Sequence, residues 1–159
     1  MSTGDTMGII RLSYELAYLE ARHASKMPLT SKEWSRLGTL RPMLARDPAY
    51  RRRTHRRFAI KARGTAQVDG LSIGVEINEI SAGGCRIIAP VALRAGTEIK
   101  LSIELRRVTF VFNAEVKRVV LNGDKATLGL SFSGIPLELR RFRTRPPSLF
   151  DQRLTEAAS

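Results

Sequence analysis

Residues 58–80 read FAIKARGTAQVDGLSIGVEINEI, and this stretch decides the fold class. Apolar and polar side chains alternate on both sides of Asp69-Gly70, which is the two-residue periodicity of β-strands. An Asp-Gly pair between two such runs favours a tight turn. The stretch therefore predicts two antiparallel strands, Phe58–Val68 and Leu71–Ile80.

The same periodicity continues downstream and is interrupted by short turn sequences. Four further strands are predicted, namely Gly84–Ile88, Thr97–Leu105, Thr109–Val120 and Ala126–Phe132. Six short strands joined by tight turns predict a mainly β fold, a six-stranded antiparallel barrel. Closing the sheet removes its exposed edges and fills the interior with side chains, so a ligand is expected to bind outside the barrel or at its rim.

Two helices are predicted before the strands. One runs from Gly8 to about Lys26 with a stripe of Ile9, Leu12, Leu16 and Leu19, while Tyr14 falls outside that stripe. The other helix is predicted to begin at a capping box formed by Thr30 and Glu33, and Pro42 is expected to distort it or end it early. Its apolar stripe consists of Trp34, Leu37, Leu40 and Leu44. Such a hairpin can pack on the barrel or pair with a second copy as a homodimer, and packing is favoured.

The chain thus divides into three predicted parts. Residues 1–47 form an N-terminal helical segment, and residues 51–145 form the barrel domain with a short C-terminal helix over residues 137–142. Pro146-Pro147 forces extended chain, so residues 146–159 are predicted to be a flexible tail.

The composition indicates an anionic partner and argues against several classes of protein. The 159 residues carry a net charge of +12, and the single cysteine, Cys85, excludes an intramolecular disulfide and fits the cytoplasm. Cys85 itself is expected in the core and His55 in solvent. The sequence offers no bilayer-spanning run, no Cys/His cluster for a metal, and no Ser/His/acid set, P-loop or paired carboxylates, so we predict no membrane span and no catalytic residue.

Five arginines precede the first strand in RRRTHRRF, residues 51–58. A guanidinium is a planar fork that matches two phosphate oxygens or the O6/N7 edge of guanine, and its face stacks on purines. Clustered arginine therefore favours a nucleotide ligand, although a solvated basic linker has the same composition.

Two short motifs carry a resemblance to a known family. Arg53-Thr54-His55-Arg56-Arg57 fits an RxxxR element just before a strand, and Glu79-Ile80-Ser81-Ala82-Gly83-Gly84 fits a later [D/N]xSxxG element. In this order they resemble the PilZ domain, a bacterial receptor module for the second messenger cyclic di-GMP, over about residues 51–136. The resemblance implies cyclic di-GMP as ligand, no cofactor, and an unidentified protein effector.

The resemblance also implies the ligand-binding residues. Arg52, Arg53 and Arg57 would meet phosphates or guanine, Glu79 would accept from guanine N1–H and N2–H, Ser81 would bond a base edge or phosphate, and Gly84 would let the backbone approach. Glu79 departs from the family pattern, which has Asp or Asn. Two alternatives stay open, a degenerate module that acts as a protein-interaction adaptor, and a basic nucleic-acid-binding barrel, which the scarcity of aromatic residues disfavours.

Overall fold

The computed structural model describes residues 3–45 and 55–140, with side chains described from residue 5 onward. It contains two helices and six strands: α1 Thr3–Ala24, α2 Ser31–Met43, β1 Phe58–Val68, β2 Leu71–Ile80, β3 Gly84–Ala89, β4 Glu98–Leu105, β5 Val108–Asn122 and β6 Lys125–Arg140. All neighbouring strands are antiparallel and close a barrel in the order β1-β2-β3-β6-β5-β4. The predicted six-stranded barrel is confirmed.

The hairpin that decided the prediction forms as expected. Val68 pairs with Leu71, and the two residues between them, Asp69 and Gly70, have φ angles of 48° and 81°. Positive φ at both central positions is the geometry that matches the twist of the flanking strands. The Asp-Gly pair therefore closes the β1–β2 hairpin.

The predicted short helix over residues 137–142 is wrong for the described part, residues 137–140. These residues extend β6, where Leu137 pairs with Val111 and Arg140 pairs with Val108. The strand reaches them through an irregularity in register that includes Gly134, with a φ of 64°, and Pro136. A strand tolerates proline at such a bulge, and pairing with β5 satisfies backbone groups that one helical turn would leave open. Residues 141 and 142, like the predicted tail, lie outside the described residues.

The helices pack on the barrel, which is the alternative that the sequence favoured. Ile10 and Tyr14 of α1 join the barrel core, and the Tyr14 ring lies 4.6 Å from that of Phe110 between centroids. Tyr14 was expected outside the buried stripe and is instead buried, because α1 contacts the barrel as well as α2 and so needs a wider apolar face. Burial, together with the nearby Glu138 carboxylate, raises the pKa of Tyr14 to about 12.

The stripe of α2 is buried within the chain, with one exception. Leu37, Leu40 and Leu44 pack with Leu16 and Leu19 of α1 and with Ala82 of the β2–β3 turn in a second core. Trp34 was expected in this stripe but remains 47% exposed, with its ring edge-on to His23 at 5.0 Å between centroids. Trp34 lies in the first turn of α2, and its neighbour there is the hydrophilic end of α1. The predicted capping box of Thr30 and Glu33 is present.

Cys85 lies in the barrel core, as predicted, and burial raises the pKa of its thiol. Among the helices of the described ranges, none combines the length and the apolar character needed to cross a bilayer. Within residues 3–45 and 55–140, no three His, Cys, Asp or Glu side chains converge as a metal site would require.

Candidate functional site

The candidate site lies at the rim of the barrel where β1 begins and β2 ends. Phe58 pairs with Ile80, and Ala59 pairs with Glu79, so Arg57 comes beside the end of β2. The Arg57 Nη1 atom donates to Glu79 Oε1 at 3.4 Å. The structure thus brings together two predicted site residues that are 22 positions apart in the chain.

A β-bulge in β2 shapes this rim. Ile77 pairs with Ile87 but Glu79 pairs with Arg86, so the two residues Asn78 and Glu79 stand opposite one residue of β3. Ile77 and Ile80 are both fully buried, while Asn78 and Glu79 between them are partly exposed. In a regular strand adjacent side chains point to opposite faces. The bulge suspends that alternation and lets both polar side chains reach the outer surface.

Arg86 of β3 connects the two residues that the bulge exposes. Its Nε atom donates to Asn78 Oδ1 at 3.0 Å, and its Nη2 atom lies 3.3 Å from Glu79 Oε2. The Glu79 carboxylate is therefore shared between Arg57 on one side and Arg86 on the other. We call Arg57, Asn78, Glu79 and Arg86 the rim cluster.

Arg86 and Asn78 were not among the predicted site residues. An arginine on the outer face of a strand is unremarkable in sequence, and Asn78 does not fit the register of the [D/N]xSxxG motif, in which Ser81 takes the serine position. A regular β2–β3 pairing would have placed Asn78 and Glu79 on opposite faces. Only the bulge, which the sequence did not reveal, brings both within reach of Arg86.

Ser81 is predicted to contact the ligand, and the structure places its hydroxyl inside the β2–β3 turn. The Ser81 Oγ atom accepts from the Gly83 backbone N–H at 3.2 Å and donates to the Gly84 carbonyl at 3.3 Å. The Ser81 backbone N–H also donates to Gly84 O, at 2.8 Å. The side chain is 8% exposed, so its evident role is to hold the turn that follows Glu79.

Gly84 is required by the packing of β3 against β6. A Cβ atom at this position would lie 2.1 Å from the Leu130 carbonyl oxygen, far inside contact distance. Gly83 is also confined, since a Cβ there would lie 3.1 Å from Nδ1 of His55. The two glycines therefore let the backbone of the turn approach a strand and the segment before β1.

His55 was expected to face solvent and is instead half-buried at a junction of several elements. It forms an isolated β-bridge with Ala45, and the backbone N–H of Arg56 donates to the Leu44 carbonyl at 2.9 Å. The side chain borders a cavity of about 270 Å³, lined also by Glu20, Ala82, Phe132 and Gly134. Burial lowers the pKa of His55, and the negative charge of Glu20 opposes part of that effect. We call His55 and the residues that line this cavity with it the joint.

Arg56 and Arg57 point to different partners although they are adjacent. The Arg56 guanidinium lies over the Phe58 ring at 5.0 Å, whereas Arg57 pairs with Glu79. The Arg57 and Arg86 side chains are 48% and 47% exposed, so two guanidiniums at the rim face solvent around one carboxylate. This arrangement suits an anionic ligand that also offers hydrogen-bond donors. The predicted ligand residues Arg52 and Arg53 lie outside the described residues.

The barrel domain matches a known protein family. The family model described as the PilZ domain matches residues 50–143, which is more than half of the chain. The match spans the segment before β1, all six strands and therefore the whole rim cluster.

Two solved structures resemble the chain at low sequence identity. The inhibitor of motility MotI, or DgrA, of Bacillus subtilis is 20% identical with a TM-score of 0.44, and the alignment covers 62% of this chain and 44% of that one. The PlzA protein of Borreliella burgdorferi, solved in complex with c-di-GMP, is 17% identical with a TM-score of 0.43, and the alignment covers 69% of this chain and 46% of that one. This chain thus spans less than half of either protein. No curated protein matches it significantly.

Proposed function

The chain belongs to the PilZ domain family, and from this premise we propose that it is a cytoplasmic, non-enzymatic receptor for cyclic di-GMP that regulates a protein effector. One observation carries the proposal. Arg57 and Glu79, which end the first motif and begin the second, meet at one rim of the barrel with 3.4 Å between Nη1 and Oε1. A guanidinium and a carboxylate at that spacing provide a partner for phosphate and a partner for guanine within one small surface.

The ligand chemistry assigns a role to each motif residue. Arg57, with Arg52 and Arg53 from the preceding segment, would bind the phosphates and the Hoogsteen edge of guanine as planar forks. Glu79 would accept from guanine N1–H and N2–H. Ser81 and Gly84 would contribute by fixing the turn beside Glu79, since the Ser81 hydroxyl is bonded within that turn and Gly84 lies against the Leu130 carbonyl.

Ligand binding would act on the partner through the segment that joins helices and barrel. Residues 44–57 connect α2 to β1 in the sequence and include the five arginines of RRRTHRRF, and the joint at His55 touches both the α1 helix and the β2–β3 turn. A ligand that holds the arginines against the rim would change how the helical segment sits at this joint. The effector would read that change.

A homodimer through the N-terminal helices would need a surface other than the leucine stripe. Leu37, Leu40 and Leu44 are buried within the chain, whereas Trp34 and Met43 of α2 are about half exposed. Because Trp34 and Met43 lie on opposite sides of α2, we propose the side that carries Trp34 for any helix-mediated self-association.

A double substitution tests the proposed function. Arg53→Ala with Arg57→Ala should abolish cyclic di-GMP binding in calorimetry, because two phosphate-binding guanidiniums are lost, while the circular dichroism spectrum stays that of the parent. The control is Lys100→Ala with Lys125→Ala, which removes equal charge from exposed positions towards the other end of the barrel. Undiminished affinity in the double-arginine variant would refute the site.

The second candidate is a PilZ module that no longer binds the nucleotide and acts as an adaptor. Its specific support is that Glu79 already pairs with Arg57 and Arg86, so that a ligand must displace an existing contact. Glu79→Asp separates the two functions. A gain of cyclic di-GMP binding on shortening the side chain would favour the adaptor, and a loss would show that Glu79 serves a working site.

A further inference from the structure

The rim cluster contains one carboxylate and two guanidiniums, and the two arginines are held differently. Arg57 contacts Glu79 through a single Nη1 atom at 3.4 Å. Arg86 is fixed at two points, through Nε to Asn78 at 3.0 Å and through Nη2 near Glu79 at 3.3 Å. A planar guanidinium with two fixed nitrogens keeps its orientation, whereas one with a single contact can turn away at lower cost.

We infer that Arg86 is a positioning residue of the nucleotide site, which keeps the Glu79 carboxylate at the rim when Arg57 leaves it to bind a ligand phosphate. This inference rests on the proposed function. Because the bulge places Asn78 and Glu79 side by side opposite Arg86, one side chain can brace both. Arg86 needs no contact with the ligand for this role.

The charges explain why a second arginine is needed. A ligand phosphate that recruits Arg57 removes one positive partner from Glu79 and brings a negative charge close to it. The Glu79 side chain is only 21% exposed, so water can replace the lost partner only in part. Arg86 keeps a positive partner beside the carboxylate and holds it aimed at the place where guanine N1–H and N2–H would lie.

Arg86 also gives a physical reason for glutamate at position 79. The longer side chain has one more torsion to fix than the aspartate of the family motif, and a free torsion weakens a hydrogen-bonding pair. Contact with Arg86 on the Oε2 side and Arg57 on the Oε1 side fixes that torsion before the ligand arrives.

Nucleotide selectivity provides the test, because charge and position affect it differently. Full-length parent, Arg86→Met, Arg86→Lys and Arg63→Met proteins are titrated with cyclic di-GMP and with cyclic di-AMP. Arg63 is the matched control, since it is an exposed arginine that stands opposite a glutamate, Glu76, on the neighbouring strand. Cyclic di-AMP carries the same phosphates but lacks guanine N1–H and N2–H, the donors from which Glu79 would accept hydrogen bonds.

Arg86→Met should weaken cyclic di-GMP binding about tenfold, because Glu79 loses the charge-assisted contact that holds it in position for guanine. The same substitution should change cyclic di-AMP binding no more than Arg63→Met does. Arg86→Lys should recover part of the loss, because lysine restores a charge beside Glu79 but cannot bridge it to Asn78 as a planar fork. Equal losses for both nucleotides, or a loss no larger than that of Arg63→Met, would overturn the role of Arg86. Failure of the parent protein to bind cyclic di-GMP would instead overturn the proposed function, and the inference with it.

Discussion

At the scale of single residues, the second motif has a direct role in the fold. Ser81 bonds within its own turn, and Gly84 lies where a Cβ would meet the Leu130 carbonyl at 2.1 Å. The sequence alone could not separate these roles, because a Ser-x-x-Gly spacing suits a turn and a binding site equally. The structure supplies the packing reason for Gly84, and it leaves Glu79 as the motif residue with its functional group at the surface.

Gly84→Ala should lower the free energy of unfolding by about 3 kcal/mol, since the new methyl group collides with backbone that cannot move without disturbing the β3–β6 ladder. Gly74→Ala is the matched control, because a Cβ there meets nothing within 4 Å in the neighbouring strand β2. Urea denaturation measures both. If the two variants are equally stable, the close approach at Gly84 does not exist in solution.

At the scale of elements, period-two patterning located all six strands, and β1 and β2 have the predicted bounds. The errors arose where tertiary partners decide the outcome. Leu137–Arg140 form strand because β5 continues alongside them, and Tyr14 is buried because α1 contacts the barrel as well as α2. The bulge at Asn78 was also missed, since no glycine or proline marks it. The candidate site was therefore predicted only in part, with Arg57 and Glu79 but without Arg86.

The capping box of α2, which the sequence predicted, should contribute measurably to the free energy of unfolding. Thr30 Oγ1 accepts from the Glu33 backbone N–H at 3.1 Å, so Thr30→Ala leaves one N–H of the first turn without its partner. We expect a loss of about 1 kcal/mol in the free energy of unfolding. Thr39→Ala in the same helix is the control, because the Thr39 hydroxyl donates back to the Ser35 carbonyl at 3.2 Å and caps no N–H of the first turn. Thr39→Ala should be neutral or slightly stabilising, and equal losses in both variants would contradict the capping role.

At the scale of the whole molecule, helices and barrel meet at the joint around His55. Ala82, which lies within the second motif, belongs to the core formed by the leucines of α1 and α2, and it also lines the cavity beside His55. The second motif at the rim is thus connected to the helical segment through packed side chains. This continuity supports the proposal that the joint transmits ligand binding.

The joint should make stability depend on pH. Burial lowers the pKa of His55 below its ordinary value of 6.5, so the unfolded chain takes up a proton at higher pH than the folded one. The contribution of His55 to the free energy of unfolding should therefore be constant above about pH 6.5. The free energy of unfolding should fall as the pH drops below that value towards the folded-state pKa. His55→Gln should flatten this part of the profile of unfolding free energy against pH, with His23 present in both proteins. An unchanged profile in the variant would mean that His55 titrates alike in both states.

The central claim is that the rim cluster belongs to a receptor selective for cyclic di-GMP. The most direct test is calorimetric titration of the purified protein with cyclic di-GMP at moderate salt, with GTP and cyclic di-AMP as controls for charge attraction alone. We predict saturable binding of cyclic di-GMP at micromolar or tighter affinity, and much weaker binding of both controls. Absent binding, or equal binding of all three nucleotides, would contradict the claim and favour the adaptor.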